Sequence, residues 1–259
     1  MRLMPFLTHK GKAAALLIGG GLFFSGCGTI STYQTGKTVP KGKLSFGLGT
    51  SAGLFRTKSH IVGFPIELAY GSAELFMGYG LFDFLDLQLK AMAAQYTSSE
   101  DFKSLGGIPA VGGGSARLAL AQERWGFPFS IAVGYGYYGG SAQSRRTDIK
   151  NTETNRKLTG TTDRVAFVNV SKDLLSWLTP YGALKFYNRT THNRNWDKGK
   201  LTLDETLRDK LNGYGAGLSF NVGRDKNAHI MLEMNSIRDT DEPDKHYQKQ
   251  AGIGMSVEF

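Results

Sequence analysis

The sequence predicts an all-β protein, a closed antiparallel up-and-down transmembrane β-barrel of about ten strands. Three observations indicate this fold. Segments in which apolar residues alternate with polar or very small ones recur throughout residues 43–259. The connections between these segments alternate between long polar stretches and short turns. After position 27, no apolar run approaches the length of about eighteen residues that a membrane helix needs, so a membrane crossing would have to use strands.

The first 26 residues are organised like an export signal. Arg2, Lys10 and Lys12 give a basic start, and the apolar run Ala13 to Phe24 follows. As a helix this run would span about 18 Å, which is too short for a hydrocarbon core of about 30 Å. We therefore interpret residues 1–26 as a cleaved signal peptide and exclude them from the fold.

Cys27 is the single cysteine of the chain, so it has no partner for an internal disulfide. The stretch Phe24-Ser25-Gly26-Cys27 resembles the lipoprotein box of bacteria, in which the cysteine is acylated and becomes the first residue of the mature protein. The resemblance implies lipid attachment (palmitate) at Cys27 and, with Gly28 rather than Asp beside it, sorting to the outer membrane. The alternative is a chance cysteine within a discarded signal. If Cys27 is acylated, residues 27–42 form a short lipidated periplasmic tether, and the barrel follows over 43–259.

Strands one to five each have an apolar face and a polar or glycine-rich face. A two-residue period directs one set of side chains to lipid and the other to the interior. The five segments lie at about 43–54, 67–79, 86–96, 108–121 and 129–137. Their predicted lipid-facing residues include Leu44, Phe46, Leu48 and Leu54, then Leu75, Met77 and Tyr79, then Leu87 and Leu89, then Ala116, Leu118 and Leu120, then Phe129, Ile131, Val133, Tyr135 and Tyr137.

Strands six to ten continue the pattern. Six (about 163–172) and seven (about 178–188) are less regular, whereas eight (about 213–222) and nine (about 228–237) alternate clearly. The length of each segment is near the roughly 9–11 residues that a tilted membrane strand needs. Their predicted lipid-facing residues include Tyr214, Ala216, Leu218, Phe220 and Val222, then Ile230, Leu232 and Met234.

The last nine residues form the tenth strand. Phe259, Val257, Met255 and Ile253 are apolar, and the residues between them are polar or glycine. This ending resembles the closing strand of bacterial outer-membrane β-barrels, in which the terminal Phe and the alternate apolar positions are the assembly signal. The segment Tyr79 to Leu87 also resembles a turn that recurs in small outer-membrane barrels. These resemblances imply the bacterial outer membrane as the location and the barrel assembly machinery as a partner.

The connections predict the orientation. Bacterial barrels have long external loops and short periplasmic turns, so a ten-stranded chain with this order of connections has both termini in the periplasm. Aromatic residues gather on the short-turn side, as expected of an interfacial girdle. The long connections are 55–66, 97–107, 140–162, 189–212 and 238–247, and the short ones are 80–85, 122–126, 173–177 and 223–227. The girdle residues are Tyr79, Phe82, Phe84, Trp125, Phe127, Trp177, Tyr181 and Phe259.

Five charged residues share the predicted inward face near the middle of their strands: Glu74, Lys90, Arg117, Lys185 and Glu233. Desolvated charges must be paired to be tolerated, and a Glu-Lys-Arg row on strands two to four can form ion pairs. We therefore predict a salt-bridged layer that plugs the lumen or leaves only a narrow path. The alternative is scattered polarity lining a thin wet channel.

The net charge of +9 is best explained by the surface loops, since nothing resembles a nucleic-acid module. The connection 140–162 is the most basic. Its cations could meet the phosphates of outer-membrane lipid or lipopolysaccharide, and the alternative is a solvated mobile loop. Its charged residues are Arg145, Arg146, Lys150, Arg156 and Lys157, with Asp148 and Glu153.

One connection, 238–247, invites an enzymatic interpretation, because it holds Asp239 and Asp241 followed by Asp244 and His246. This composition resembles that of outer-membrane aspartyl proteases, which are ten-stranded barrels with an Asp pair and an Asp-His pair. In that family the two pairs face each other from separate strands, whereas here all four residues lie in one loop. General-base catalysis needs groups on both sides of a substrate, so we predict no catalytic residues. A weak Ca²⁺ site at Asp239, Asp241, Glu242 and Asp244 is an alternative to a solvated acidic loop. No cofactor or metal is predicted.

The sequence therefore predicts a non-catalytic outer-membrane β-barrel lipoprotein with a structural role or a role in binding through its external loops. A narrow porin-like channel for small solutes is the first alternative, and a barrel-embedded hydrolase is a more distant one. A soluble periplasmic β-lipoprotein is the outcome if the apolar faces do not meet lipid. The oligomeric state is left open.

Overall fold

Ten antiparallel strands form one closed barrel in a computed structural model of the chain. Each strand pairs with its neighbours in sequence, and the tenth pairs with the first to close the ring. The structure describes residues 33–58, 65–97, 110–147, 153–223, 227–241 and 247–259. The strands are β1 Leu44–Lys58, β2 Pro65–Phe82, β3 Leu85–Thr97, β4 Ala110–Ala121, β5 Ser130–Thr147, β6 Glu153–Ser171, β7 Leu178–Asp197, β8 Lys200–Val222, β9 Ala228–Asp239 and β10 Tyr247–Glu258. The predicted all-β barrel of ten strands is confirmed.

Outward and inward side chains alternate as the sequence pattern predicts. In β1, Leu48 is exposed on the outside whereas Ser51 is buried in the lumen. In β5, Tyr135 and Tyr137 are exposed, whereas Ala132 is buried. Because the outer face is apolar and the inner face carries the polar residues, the barrel is the reverse of a soluble one, and its outer surface suits a hydrocarbon environment.

The seam between β1 and β10 is paired along nearly its whole length. The register runs from Ser45 opposite Glu258 to Arg56 opposite Tyr247. The terminal residue also takes part, because the Phe259 amide donates to the carbonyl oxygen of Leu44 at 2.8 Å. The ring of backbone hydrogen bonds is therefore continuous, which is what a barrel without an exposed edge requires.

Two of the predicted long loops are wrong, because their residues continue the strands. β5 and β6 extend through most of 140–162, and β7 and β8 through all of 189–212 except a two-residue turn. That turn, Lys198-Gly199, has φ of 46° and 78°, as a tight hairpin requires. The extension of β7 is polar on both faces, and in the extension of β8 the apolar residues change face, since Leu201, Leu203 and Leu207 share the parity of the inward glycines rather than that of the lipid-facing residues. The remaining long connections lie partly outside the described residues.

The short-turn end carries the exposed aromatic residues that were predicted, with one correction. Phe82, Phe84, Trp125 and Trp177 are all exposed on the outside of the barrel. Tyr181 instead faces the lumen and is buried, because it shares the inward parity of β7 with Ala183 and Lys185. In the part of the chain that the structure describes, no helix is long and apolar enough to span a membrane.

The apolar outer face predicts that a charged residue placed on it lowers the stability of the barrel only within the apolar band. We expect Ile253→Arg, in the middle of β10, to lower the free energy of unfolding in lipid vesicles by about 2–4 kcal/mol. The matched control is Thr206→Arg, on the outward face of the β8 extension, which also removes one exposed hydrogen bond to His192 Nδ1 and should change the free energy of unfolding by less than about 1 kcal/mol. Urea titration followed by tryptophan fluorescence measures both. Equal effects would contradict the assignment of the outer face to lipid.

Candidate functional site: a filled lumen

The N-terminal segment Tyr33 to Val39, here called the plug segment, lies inside the barrel. Tyr33 is 2% exposed, at the middle of the lumen, and the segment runs from there toward the short-turn end. It leaves the lumen through a turn at Pro40–Gly42, where the Gly42 amide donates to the Gly80 carbonyl at 2.8 Å and φ of Gly42 is 74°. The predicted tether, 27–42, is thus an internal segment over the residues that the structure describes.

The side chain of Tyr33 packs against a wall of glycines on both sides of the seam. A Cβ at Gly49 of β1 would lie 2.5 Å from the Tyr33 ring, and one at Gly254 of β10 would lie 2.8 Å from it. The ring also stacks on Phe76 with centroids 5.8 Å apart, and Lys90 Nζ lies 5.9 Å from its centroid. Only glycine leaves room for an aromatic ring this close to the wall.

The backbone of the plug segment is hydrogen-bonded to side chains that project from the wall. This matters because an unpaired backbone group in a closed interior is costly. The contacts are Tyr33 N to Glu233 Oε2 at 2.8 Å, Arg117 Nη1 to Thr35 O at 3.2 Å, Gln122 Nε2 to Gly36 O at 2.9 Å, Gly36 N to Ser171 Oγ at 3.1 Å, and Val39 N to Asp86 Oδ2 at 2.8 Å. The wall therefore holds the segment in one register.

All five charged residues predicted for the lumen lie there and are buried. Glu74 and Lys90 form an ion pair with a separation of 2.5 Å. Lys185 Nζ donates to Asn235 Oδ1 at 2.9 Å. The structure brings these residues together in a layer around the N-terminal end of the plug segment.

Glu233 is the centre of this layer. Its carboxylate accepts hydrogen bonds from the Tyr33 amide, from the Tyr181 hydroxyl at 3.0 Å, and from the Asn235 side chain at 2.5 Å. A carboxylate with several donors is stabilised as the anion even where water is scarce. Glu233 is thus positioned to fix the end of the plug segment rather than to line a passage.

The predicted Glu-Lys-Arg row is corrected at Arg117. Its guanidinium forms two hydrogen bonds with Asp86, at 2.9 and 2.5 Å, instead of joining Glu74 and Lys90. Asp86 is fully buried and was not predicted. The sequence does contain a signal for it, because Asp86, Gln88 and Lys90 share one face of β3. The layer therefore includes the ion pairs Glu74–Lys90 and Asp86–Arg117, and each of them contacts the plug segment.

Beyond the charged layer, on the hairpin side, large side chains fill the lumen. Arg189 and Asp163 form a second buried bidentate ion pair at 2.8 and 2.9 Å. Tyr70 lies between two glutamines, donating to Gln250 Oε1 at 3.1 Å and accepting from Gln248 Nε2 at 2.8 Å. The apolar cluster there comprises Tyr70, Met92, Ala94, Val111, Tyr138, Val165, Phe167, Tyr187, Leu211 and Ile237. The lumen is thus filled at two levels.

A cavity of about 90 Å³ remains at the short-turn end, between the plug segment and the wall. Tyr33, Phe76 and Met231 bound its inner side. Its polar lining includes His229, whose Nδ1 lies 2.9 Å from Asn221 Oδ1. The space fits a few water molecules, and it ends at the charged layer.

The residues considered for catalysis and metal binding are only partly described. The Asp241 amide donates to Asp239 Oδ1 at 2.7 Å, which is a local turn contact. Glu242, Asp244, His246 and Cys27 lie outside the described residues. Within those that are described, no group of three or more His, Cys, Asp or Glu residues could hold a metal ion.

The basic stretch between β5 and β6 is also described in part. Arg156 stacks over the Trp196 ring at 5.1 Å, which ties β6 to the tip of β7. The side chains of Arg145, Arg146 and Lys157 are not described, and Lys150 lies outside the described residues.

No protein-family model matches the chain, and no curated protein sequence matches it. Among solved structures, the chain is similar to the translocator domain of autotransporter NalP from Neisseria meningitidis, with a TM-score of 0.54, 10% identity, and coverage of 96% of this chain and 95% of that one. It is also similar to the outer membrane protease OmpT from Escherichia coli, with a TM-score of 0.48, 10% identity, and coverage of 88% and 100%. A third similar structure is an outer membrane channel from Pseudomonas putida F1, with a TM-score of 0.47, 10% identity, and coverage of 86% of this chain and 97% of that one. The chain thus has the fold of bacterial outer-membrane β-barrels.

The fit between Tyr33 and its glycine wall predicts a specific coupling. We expect Gly49→Ala to lower the free energy of unfolding by about 1–3 kcal/mol, because the added methyl group would overlap the Tyr33 ring. In a Tyr33→Ala background, the same substitution should cost almost nothing. Gly71→Ala is the matched control, since its Cβ would meet no atom closer than 3.9 Å. A double-mutant cycle from urea titrations in vesicles measures the coupling. Additive costs would show that Tyr33 does not occupy this site.

Proposed function

We propose that this protein is a non-catalytic bacterial outer-membrane β-barrel whose lumen is closed by its own plug segment. It would serve as an envelope structural element and as a platform that presents its hairpins to external ligands. The observation that supports closure most directly is the position of Tyr33 to Val39 inside the ring. The start of β1 and the C-terminus would lie at the periplasmic end, because the short turns are on their side of the barrel, and the plug segment would reach from that end into the lumen.

Location in the outer membrane is supported by the outer surface of the barrel together with its fold. Large apolar side chains such as Leu89, Leu120 and Met234 are exposed on the outside at membrane depth. A soluble protein does not present a continuous apolar belt of this kind. The same belt argues against a soluble periplasmic lipoprotein.

Closure of the lumen is supported at two independent levels. Near the short-turn end the plug segment is bound by side chains from several strands, and on the hairpin side the apolar cluster fills the ring. A conducting pathway would have to displace both. These contacts favour a closed barrel over the narrow porin-like channel.

A platform role is supported by the length of the hairpins opposite the termini. β7 and β8 remain paired from the apolar band to the turn at Lys198-Gly199, and β6 pairs with β7 as far as Asp197. These strands form a sheet that extends beyond the barrel ring. A stiff extended sheet holds its side chains in fixed positions for binding better than a mobile loop does.

A hydrolase is less well supported. Asp239 Oδ1 accepts a hydrogen bond from the Asp241 amide, which is a contact within its own turn. Catalysis by water activation needs a second group positioned on the other side of the substrate. We therefore propose that this end of the barrel binds rather than reacts.

Lipid attachment at Cys27 is part of the proposal. Five residues lie between Cys27 and Tyr33, so an extended chain of six steps would place Cys27 at most about 20 Å from the middle of the lumen. An acyl group would add membrane affinity to a barrel that is already inserted. Its contribution would therefore be to position the N-terminus rather than to anchor the protein.

Conductance tests closure. We expect the refolded wild-type barrel to give no steady current steps in a planar bilayer. Deletion of residues 33–39 alone should leave the apolar cluster in place, and Tyr138→Ala with Tyr187→Ala alone should leave the plug segment in place. Neither change should conduct, whereas their combination should. The heat-dependent gel shift of each variant checks that it has folded. A steady large conductance of the wild type would overturn the closed barrel in favour of the channel.

Acylation of Cys27 is tested separately. In cells that export the full chain, we expect the mature N-terminal peptide to begin at Cys27 and to carry the mass of attached acyl chains. Cys27→Ser should abolish that mass and the incorporation of labelled palmitate. The barrel should still reach the outer membrane if its strands carry the insertion. A mature N-terminus at another residue, without acyl mass, would contradict lipidation and leave the closed barrel unaffected.

A further inference from the structure

Charges segregate between the two faces of the barrel wall at the hairpin end. On β6, β8 and β9 an aspartate stands next to a basic residue in sequence, and the two-residue period directs the aspartate inward and the cation outward. The inward aspartates are Asp163, Asp209 and Asp239, and the outward cations are Arg164, Arg208, Lys210 and Arg238. We call these four cations the outer collar.

The outer collar is compact. Arg164 lies opposite Asn188 of β7, and Asn188 lies opposite Lys210 of β8. Strand spacing puts Arg164 and Lys210 about 10 Å apart at their Cα atoms. Arg208 is two residues from Lys210 along β8, which is about 7 Å. Arg238 of β9 lies opposite Asn212 of β8, which is two residues from Lys210 on the same face.

The four side chains are exposed, and none of them forms an ion pair with a residue that the structure describes. Asp163, the inward neighbour of Arg164, is paired with Arg189 inside the lumen. Asp204, which is exposed farther along the same face of β8, is paired with Arg194 at 3.3 Å. The outer collar therefore carries uncompensated positive charge.

The outer collar sits directly on the apolar band. Two residues closer to the short-turn end on the same outer face, Ala166 lies below Arg164 and Phe186 lies below Asn188. Tyr137 of β5 is the cross-strand neighbour of Arg164. The side chains of Phe186, Tyr137 and Tyr214 are each at least half exposed. A surface with apolar and aromatic groups below and cations above matches a lipid with acyl chains below and an anionic head group above.

From this geometry we infer that the outer collar is a binding site for phosphate-bearing lipids of the leaflet at the hairpin end. Arg164, Arg208 and Arg238 offer planar forks that bind phosphate oxygens in pairs, Lys210 adds a compact charge, and the side-chain amides of Asn188 and Asn212 lie between them. The acyl chains of the lipid would lie on Phe186 and Tyr214. The inference rests on the proposed membrane location, and it names a ligand class for the outer surface.

Lipid titration followed by native mass spectrometry of the refolded barrel in detergent tests the site. The three probes are phosphatidic acid, phosphatidylcholine and inositol hexakisphosphate, which separate a lipid phosphate from a zwitterionic lipid and from a soluble phosphate. We expect preferential binding of phosphatidic acid. The triple variant Arg164→Gln, Lys210→Gln and Arg238→Gln should weaken that binding about tenfold or more, because each basic side chain near the head group contributes to it.

The matched control removes the same charge from the hairpin tip, with Arg194→Gln, Lys198→Gln and Lys200→Gln, and should change the affinity less than about twofold. A charge-preserving pair, Arg164→Lys and Arg238→Lys, should retain most of the binding. Equal losses in the two triple variants, or equally tight binding of inositol hexakisphosphate, would overturn the lipid site. The heat-dependent gel shift and the bilayer conductance report separately on the proposed function, so a failed barrel and a failed lipid site are distinguishable.

Discussion

Closure of the ring is the constraint on which the rest of the structure depends. A strand whose outer face is apolar cannot leave backbone groups unpaired in a hydrocarbon environment, so β1 must pair with β10 along its length. The register from Ser45–Glu258 to Arg56–Tyr247 achieves this, and the terminal Phe259 extends it. Once the ring is closed, its interior has a fixed width that the inward side chains and the plug segment must fill together.

The lumen solves this problem with glycine on the wall and aromatic rings in the space that the glycines leave. Gly49 and Gly254 accommodate Tyr33, and Gly134 faces Phe167 in the same manner. A polar segment inside a closed ring brings backbone groups that need partners, and Glu233, Arg117, Gln122 and Asp86 supply them. The buried ion pairs therefore have a positional role as well as an electrostatic one. Each of them pairs a charge that would otherwise be costly to bury, and Asp86 also holds the plug segment.

The sequence predicts the barrel well because its two-residue period is a local property. The faces of β1, β5, β8 and β10 could each be assigned from their own residues. The hairpin extensions of β7 and β8 could not, since the β7 extension is polar on both faces and the apolar residues of β8 change from the outward face to the inward one at about Leu211. The position of Tyr33 was also missed, because residues 28–42 have the composition of a polar linker and the contacts that hold the segment come from distant strands.

Some of the missed features did leave a trace in the sequence. The inward faces of β1 and β10 are rich in glycine, which is too small to fill a ten-stranded ring. Glycines on both sides of the seam therefore indicate that another part of the chain occupies the space between them. The inward parity of Tyr181 and Asp86 was likewise readable. Both lie near the ends of their strands, and from the sequence Tyr181 is placed among the exposed aromatics and Asp86, the first residue of predicted strand three, is left out of the inward charges.

The position of Tyr33 on the seam has a consequence for biogenesis. Its ring contacts the first strand at Gly49 and the last strand at Gly254, and the barrel wall surrounds it on every other side. A chain with this topology cannot thread its leading portion through a finished cylinder without breaking many wall contacts. Seating of Tyr33 and pairing of the first strand with the last are therefore coupled, because the same ring contacts both of them.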